Sequence, residues 1–458
     1  MGLRLASPAG SRTRVNFPNC ATCDFGWRSR LPFGVEDGLY RLVQCCYHAV
    51  RDEWEERYER RYGFWRAAAD KAVGAYLDCG LLENGFARVR CGSCRAEYLV
   101  AFSCKGRGLC PSCAAKRAAA LAAFLREEVL ADVGHAQWVF SIPKVLRPYF
   151  LYHRPLLSRL CRAAYETARE MIGAALPAQD ALTPGMIAVV QTFGDDLSWH
   201  PHVHALVTRG GWDRAGQWVP VPFVAGEAAA LLFRHKVLAF LTGEGLLDEE
   251  RARLLLSWRH SGFSVRTSVT VPPGDGKASS ASPGTPFAQP VSLQPLDLDK
   301  QERTIAYAPR PGHASWLLAP AAPPLLDPDV FLARMTIHIP EPWLHVIRSY
   351  GVCSSGFGAR RPPQEAARGD GAECRPSPPA AEPRDDPELR ALRRRWADLI
   401  RRIYEVDPLV CPRCGAPMRI IACITEPRVI GQILKHLAAK GIDARSPPEA
   451  PHNHRPAA

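Results

Sequence analysis

Apolar positions along the chain alternate between a helical and a strand period. Leu39, Leu42, Val43, Cys46 and Val50 fall at helical spacing, and Trp54, Tyr58 and Trp65 extend the same surface. Glu and Arg crowd the remaining positions, as a solvated face requires. Residues 114 to 131 predict an Ala-rich helix with Leu121, Phe124, Leu125 and Leu130 on one side. Helical spacing returns over 154–174 (Leu156, Leu157, Leu160, Ala164) and over 224–241. Between these lie strand patterns: Trp138–Ile142, stopped by Pro143; Met186–Phe193; Trp199–Thr208; and the alternating run Phe263–Val271. Helices and strands thus mix irregularly from 135 to 271, which predicts an α+β domain of catalytic type. Further on, 303–307 reads as a short strand and 329–337 as a helix. Residues 388–404 predict another helix, with Leu389, Leu392, Trp396, Leu399, Ile400 and Ile403 on one face.

The breaks in this pattern divide the chain. Residues 1–34 carry no periodicity and read as a disordered tail, one that an over-called start site would produce. Residues 272–290 are mostly Ser, Pro, Gly and Ala, and 354–387 form a Pro/Ala/Arg-rich linker. The expected organisation is therefore a helical and cysteine-bearing domain over 35–120 and the α+β domain over 121–353. The linker and a C-terminal helix with a cysteine knuckle (388–445) complete it. At 458 residues, several domains are expected. A net charge of +12 points to a polyanionic partner, most commonly nucleic acid, although Arg-heavy usage alone raises charge. No run of about 18 apolar residues occurs, so no membrane span is expected, and the first residues lack a secretory apolar core. Sixteen cysteines clustered as Cys-x-x-Cys pairs argue for zinc in a reducing cytoplasm rather than disulfides.

Two pairs stand out. Cys91-Gly-Ser-Cys94 and Cys110-Pro-Ser-Cys113 have the spacing of a tetrahedral thiolate site, and the expectation is one zinc held by these four. Cys79 and Cys104 flank it as alternative ligands or, on the plainer reading, buried thiols. Arg95, Lys105, Arg107, Lys116 and Arg117 make the module basic. Cys411-Pro-Arg-Cys414 is half of a possible second zinc site, with Cys423 the nearest further thiol; Cys20 and Cys23 form a lone pair. The other concentration of chemistry is His200-Pro-His202-Val-His204. On a strand, side chains two residues apart share a face roughly 7 Å apart along the backbone, so His202 and His204 could clamp a divalent ion that keeps open positions for a phosphate oxygen. If Phe193 pairs with His202 across the Gly194-Asp-Asp turn, Gln191 pairs with His204. It is then a third metal ligand, an imidazole's hydrogen-bond partner, or a Gln satisfied by backbone.

Together, Gly85-Phe-Ala-Arg-Val-Arg-Cys91, Val100-Ala-Phe-Ser-Cys104-Lys105, Leu109-Cys-Pro-Ser-Cys113 and His200-Pro-His-Val-His204 resemble the rolling-circle insertion-sequence transposases of the HUH endonuclease (two-tyrosine) class. The similarity runs over roughly 36 to 435. It implies an HUH-type antiparallel sheet flanked by helices, preceded by a helical zinc-binding module. It also implies Mg²⁺ or Mn²⁺ at His202 and His204, structural Zn²⁺, and single-stranded DNA with element-end hairpins as partner in a bacterial cytoplasm, at the nucleoid. In such enzymes a tyrosine attacks the scissile phosphate, leaving a 5′-phosphotyrosine and a free 3′-hydroxyl. The nucleophile helix is expected shortly after Val271 and upstream of Val291-Ser-Leu293, yet Lys277 to Gln289 contains no tyrosine. A frameshifted or decayed copy would read this way. Tyr307 and Tyr350 are the nearest substitutes, each with a structural role as the plainer reading. Two other functions fit parts of the pattern: a zinc-dependent DNA-binding protein without catalysis, and a metal hydrolase, for which no general base is evident.

Overall fold

The computed structural model describes residues 38–175, 182–194, 197–221, 224–273, 297–299, 304–306, 325–354, 410–411 and 413–440. The tail, nearly all of the 272–290 insert and the 354–387 linker, the helix over 388–404 and Tyr307 lie outside these residues.

The chain opens with a helical cluster: α1 (Gly38–Asp52), α2 (Trp54–Arg57), α3 (Glu59–Tyr62) and α4 (Ala67–Leu77). Leu39, Leu42, Val43, Tyr47 and Val50 of α1 are buried, three or four residues apart as one helix face demands. They pack on α10 (Pro328–Ile337), whose start is fixed by Asp327 accepting hydrogen bonds from the Asp329 and Val330 amides. Strands β1 (Phe86–Cys91) and β2 (Glu97–Ala101) form a hairpin, and α5 (Pro111–Phe124) follows with Cys110 at its N-cap and Pro111 in its first turn.

The centre of the molecule is a five-stranded antiparallel sheet. It is built from β3 (His135–Ser141), β4 (Gly185–Phe193), β5 (Trp199–Thr208), β8 (Ser264–Val271) and β12 (Ile347–Gly351), in the order β12-β4-β5-β3-β8. The histidine strand is thus the middle one. Between β5 and β8 the chain makes a small ribbon, β6 (Gly210–Trp212) with β7 (Trp218–Pro220), then α8 (Gly226–Gly243) and α9 (Glu249–Ser257). Short strands β9 (Asp297–Asp299), β10 (Thr304–Ala306) and β11 (Leu325–Leu326) form a second small sheet.

One face of the central sheet is dry. Trp138, Phe140, Met186, Ala188, Val190, Val203, Ala205, Val207 and Val265 pack there beneath α8 and α7 (Leu156–Ala174). The period of two then sends His200, His202, His204, Gln191, Gln137 and Ser141 to the opposite face. This α+β layout, an antiparallel sheet flanked by helices, is the expected fold class.

The last described piece is β13 (Met418–Ile424) followed by α11 (Pro427–Ala439). It does not stand apart from the rest. β13 pairs antiparallel with β1, so the N-terminal hairpin and the C-terminal strand form one sheet, β13-β1-β2. Among the described residues no helix is long and apolar enough to cross a membrane.

Candidate functional site

The register of the central sheet differs from expectation by two residues. Gln191 lies opposite His202, and Val189 lies opposite His204. The reason is the connection: Phe193 already pairs with Trp199, and a shift between Gln191 and Phe193 sets the rest of the ladder. The connection is held by a buried histidine. Thr192 Oγ1 donates to His338 Nδ1 (3.0 Å) and His338 Nε2 donates to the Leu197 carbonyl (3.0 Å), while the His338 ring stacks on Trp199. Arg154 lies over the same Trp199 ring, 4.9 Å from its centroid.

On the polar face, the Nε2 atoms of His202 and His204 are 3.1 Å apart. Two nitrogens in adjacent positions around a divalent ion at about 2.1–2.2 Å would lie about 3 Å apart, so the pair already has chelating geometry. Each ring is held from behind. His202 Nδ1 donates to the His200 carbonyl at 2.7 Å, which fixes the proton on Nδ1 and leaves Nε2 as the donor to a ligand. His204 Nδ1 lies 3.3 Å from the Gln137 side-chain Nε2 on the neighbouring strand β3, where turning the amide over would present its oxygen instead. Gln137 was not singled out by sequence reasoning. Its signal was a polar residue at an alternate position of an otherwise apolar strand.

Gln191 is buried beside His202, its cross-strand partner, at the distance where side chains touch. Tyr350 sits elsewhere. It pairs with Met186 and packs with the dry core, stacked on Tyr165 of α7 at 4.9 Å. It therefore occupies the opposite face of the sheet from the histidine pair, and burial pushes its hydroxyl up to about 12. Neither property suits a nucleophile working at His202 and His204. Tyr307 lies one residue past β10, outside the described residues.

The cysteines correct the expected partnership. Cys110 and Cys113 gather with Cys79 and Cys104, not with Cys91 and Cys94. Cys79 and Cys104, read as bystander thiols, are the missing half of that cluster: Cys104 Sγ lies 3.4 Å from Cys113, and Cys79 Sγ lies 3.7 Å from both Cys110 and Cys113. Sulfurs bound tetrahedrally at about 2.3 Å lie about 3.8 Å apart, so these four fit a zinc ion closely. The amides of Cys104 and Gly106 point at Cys79 and Cys104 sulfurs (3.3 Å each), stabilising thiolates. Cys91 and Cys94 gather instead with Cys411 and Cys414; Cys423, the other thiol considered for that half-site, is exposed on β13.

The first cluster is tied to the central sheet. Arg107, in the loop between its cysteines, donates to the carbonyls of Glu341, Pro342 and Leu344, just before β12. Gly108, at φ +82°, lets that loop approach Pro340; a Cβ there would sit 2.7 Å from the proline ring. Arg66 reaches the same segment, bonding the Ile339 carbonyl at 2.7 Å and Glu341 at 2.9 Å.

Two family models match parts of the chain. Residues 49–142 match the family model described as "Transposase zinc-binding domain", and residues 185–279 match the one described as "Putative transposase". The first spans Cys79, Cys104, Cys110 and Cys113; the second spans the histidine strand. The chain is 27% identical over 421 residues to the transposase for insertion sequence element IS801 of Pseudomonas savastanoi pv. phaseolicola, covering 86% of this chain and 90% of that protein. The chain is thus similar to an insertion-sequence transposase over most of its length. A second relative, "Putative transposase y4qJ" of Sinorhizobium fredii, is 31% identical over 191 residues, 41% of this chain and 47% of that protein. No solved structure matches the chain. Its Cys79 cluster lies within the matched zinc-binding domain and is a zinc site in residue type and sulfur spacing.

Proposed function

We propose that the chain is a transposase that nicks and rejoins single-stranded DNA at the ends of its element, using the polar face of the central sheet. The observation that carries this reading is the convergence of His202 and His204 Nε2 at 3.1 Å, each ring oriented from behind, on the middle strand. His202, His204 and Gln191 would hold Mg²⁺ or Mn²⁺, since imidazole and amide oxygen suit either ion. Such an ion, when bound, supplies Lewis-acid polarisation of the scissile phosphate. Around it the protein's own groups set the geometry. The His200 carbonyl fixes the His202 tautomer; the Gln137 amide nitrogen faces His204 Nδ1, and with the amide turned over its oxygen would accept the Nδ1 proton and fix the His204 tautomer. The attacking group is a tyrosine Oη. It forms a bond to phosphorus as the bond to the 3′ oxygen breaks, so the 5′ phosphate stays on the protein and a 3′-hydroxyl leaves. Rejoining reverses the step without a nucleotide cofactor.

Of the two tyrosines considered, Tyr307, which lies outside the described residues, is the remaining candidate for this attack. The position of Tyr350 on the dry face, together with the tyrosine-free stretch 277–289, favours a second reading in which the chain binds DNA without cutting it. Nicking of a labelled single strand carrying an element end separates the two. Metal-dependent release of a fragment with an extendable 3′-hydroxyl, lost in His202→Ala and His204→Ala, supports strand transfer. Retarded migration of intact strand with no fragment supports the binding reading.

A further inference from the structure

Cys91 and Cys94 close the β1–β2 hairpin, and Cys411 and Cys414 precede β13. Their sulfurs meet: Cys91 to Cys414 and Cys94 to Cys411 are each 3.5 Å, and all four lie within 4.8 Å of one another. We infer that these four cysteines hold a second zinc ion, and that this ion clasps the C-terminal segment 410–440 onto the N-terminal zinc module. The matched zinc-binding domain ends at residue 142 and contains only half of the ligands.

The two halves are built alike. The Cys91 amide donates to the Ala96 carbonyl and the Cys411 amide to the Ala416 carbonyl, both at 2.8 Å. The residue after each second cysteine takes a left-handed conformation, Arg95 at φ 60° and Gly415 at φ 69°. These are two copies of one turn, each presenting two sulfurs to a common point. Amides of Ser93 and Cys94 both point at Cys91 Sγ at 3.4 Å, as they would at a metal-bound thiolate. The 3.5 Å separations are close to the about 3.8 Å of a tetrahedral zinc–sulfur site.

The apolar contacts beside the site are small. Val89, Ala96 and Met418 pack next to the sulfurs, and Leu82, Phe86 and Ile430 seat α11. A three-stranded sheet with so little core ordinarily needs a staple. Without one, closing the chain between Cys94 and Cys411 would cost entropy that these contacts offset poorly. The inference is independent of whether the histidine face cuts DNA.

The test uses the full chain with a site-specific protease sequence inserted between Arg368 and Gly369. Elemental analysis should find two zinc ions per chain in the parent and one in Cys411→Ser/Cys414→Ser and in Cys91→Ser/Cys94→Ser. After cleavage, the C-terminal piece should co-elute with the N-terminal piece in the zinc-loaded parent. It should separate in either double variant, and in the parent after chelation. Cys414→His, which replaces one ligand by another, should keep both the second zinc and the piece. A parent holding one zinc, a Cys411→Ser/Cys414→Ser protein still holding two, or a piece that stays bound once the second zinc is gone would overturn the clasp. So would a piece that leaves zinc-loaded Cys414→His.

Discussion

Gln137 is the most exacting point at which to test the proposed metal site on the histidine face, because it would act on a bound ion only through His204. Its side-chain amide is 3.3 Å from His204 Nδ1. For His204 Nε2 to accept a metal, the ring proton must sit on Nδ1, where the Gln137 amide oxygen can take it after the amide turns over. Gln137→Leu removes that acceptor while keeping the strand and most of the volume. Partners of this kind contribute about 10- to 100-fold in metal affinity. Both residues are only half-buried, so water replaces part of the lost bond. The expected loss is therefore near the lower end, about tenfold or about 1.4 kcal/mol. Mn²⁺ binding followed by electron paramagnetic resonance on zinc-loaded protein reads this directly. Gln137→Glu, which keeps an acceptor, should bind at least as tightly as the parent, and His204→Ala should bind at least about 100-fold more weakly. An unchanged dissociation constant in Gln137→Leu beside a weak His204→Ala would refute the positioning role. Unchanged binding in both would remove the metal from this pair altogether.

Other perturbations probe the frame. His135 is buried with its Nε2 unpartnered, and burial holds its pKa below the ordinary value. The unfolded chain then binds the proton more readily, so stability is full above about 6.5 and falls as pH drops below it toward the folded value. Urea midpoints at pH 7.5 and 5.5 should show less of this acid loss in His135→Phe. Arg66→Ala should destabilise by about 2–4 kcal/mol, because it leaves Glu341 and the Ile339 carbonyl without their buried partner; a thermal melt shifted by less than a degree would contradict this. Tyr350→Phe should leave any strand cleavage within about twofold, since its ring and not its hydroxyl packs on Tyr165; loss of cleavage would return it to candidacy.

The central sheet was legible because its strands obey the simplest rule. Trp138, Phe140, Val203, Ala205 and Val265 face the helices; short apolar runs located β3 and β4, and the period of two located β5 and β8. The His202–His204 pair followed from the same period. The edge strand β12 did not, since Ile347-Arg-Ser-Tyr-Gly351 is short and its apolar pattern is broken by Arg348 and Ser349. Register failed by two because a bulge beside Thr192 cannot be read from alternation. The cysteines failed for a different reason. Cys-x-x-Cys spacing states that two sulfurs face one ion and says nothing of where the other two come from. Cys79 and Cys104 carry no such spacing. The partner of the Cys91 knuckle lies more than three hundred residues away, and only the pairing of β1 with β13 brings it in.

The central claim is that the histidine face joins a tyrosine of this chain to DNA. It is tested most directly with a single strand whose cleavage traps the protein on its 5′ end, followed on denaturing gels with Mn²⁺ or chelator. The account predicts a covalent adduct in the parent that requires the metal, disappears in His202→Ala and His204→Ala, and disappears in Tyr307→Phe while persisting in Tyr350→Phe. An adduct that survives loss of both histidines, or the absence of any adduct from protein that still binds the strand, would contradict it.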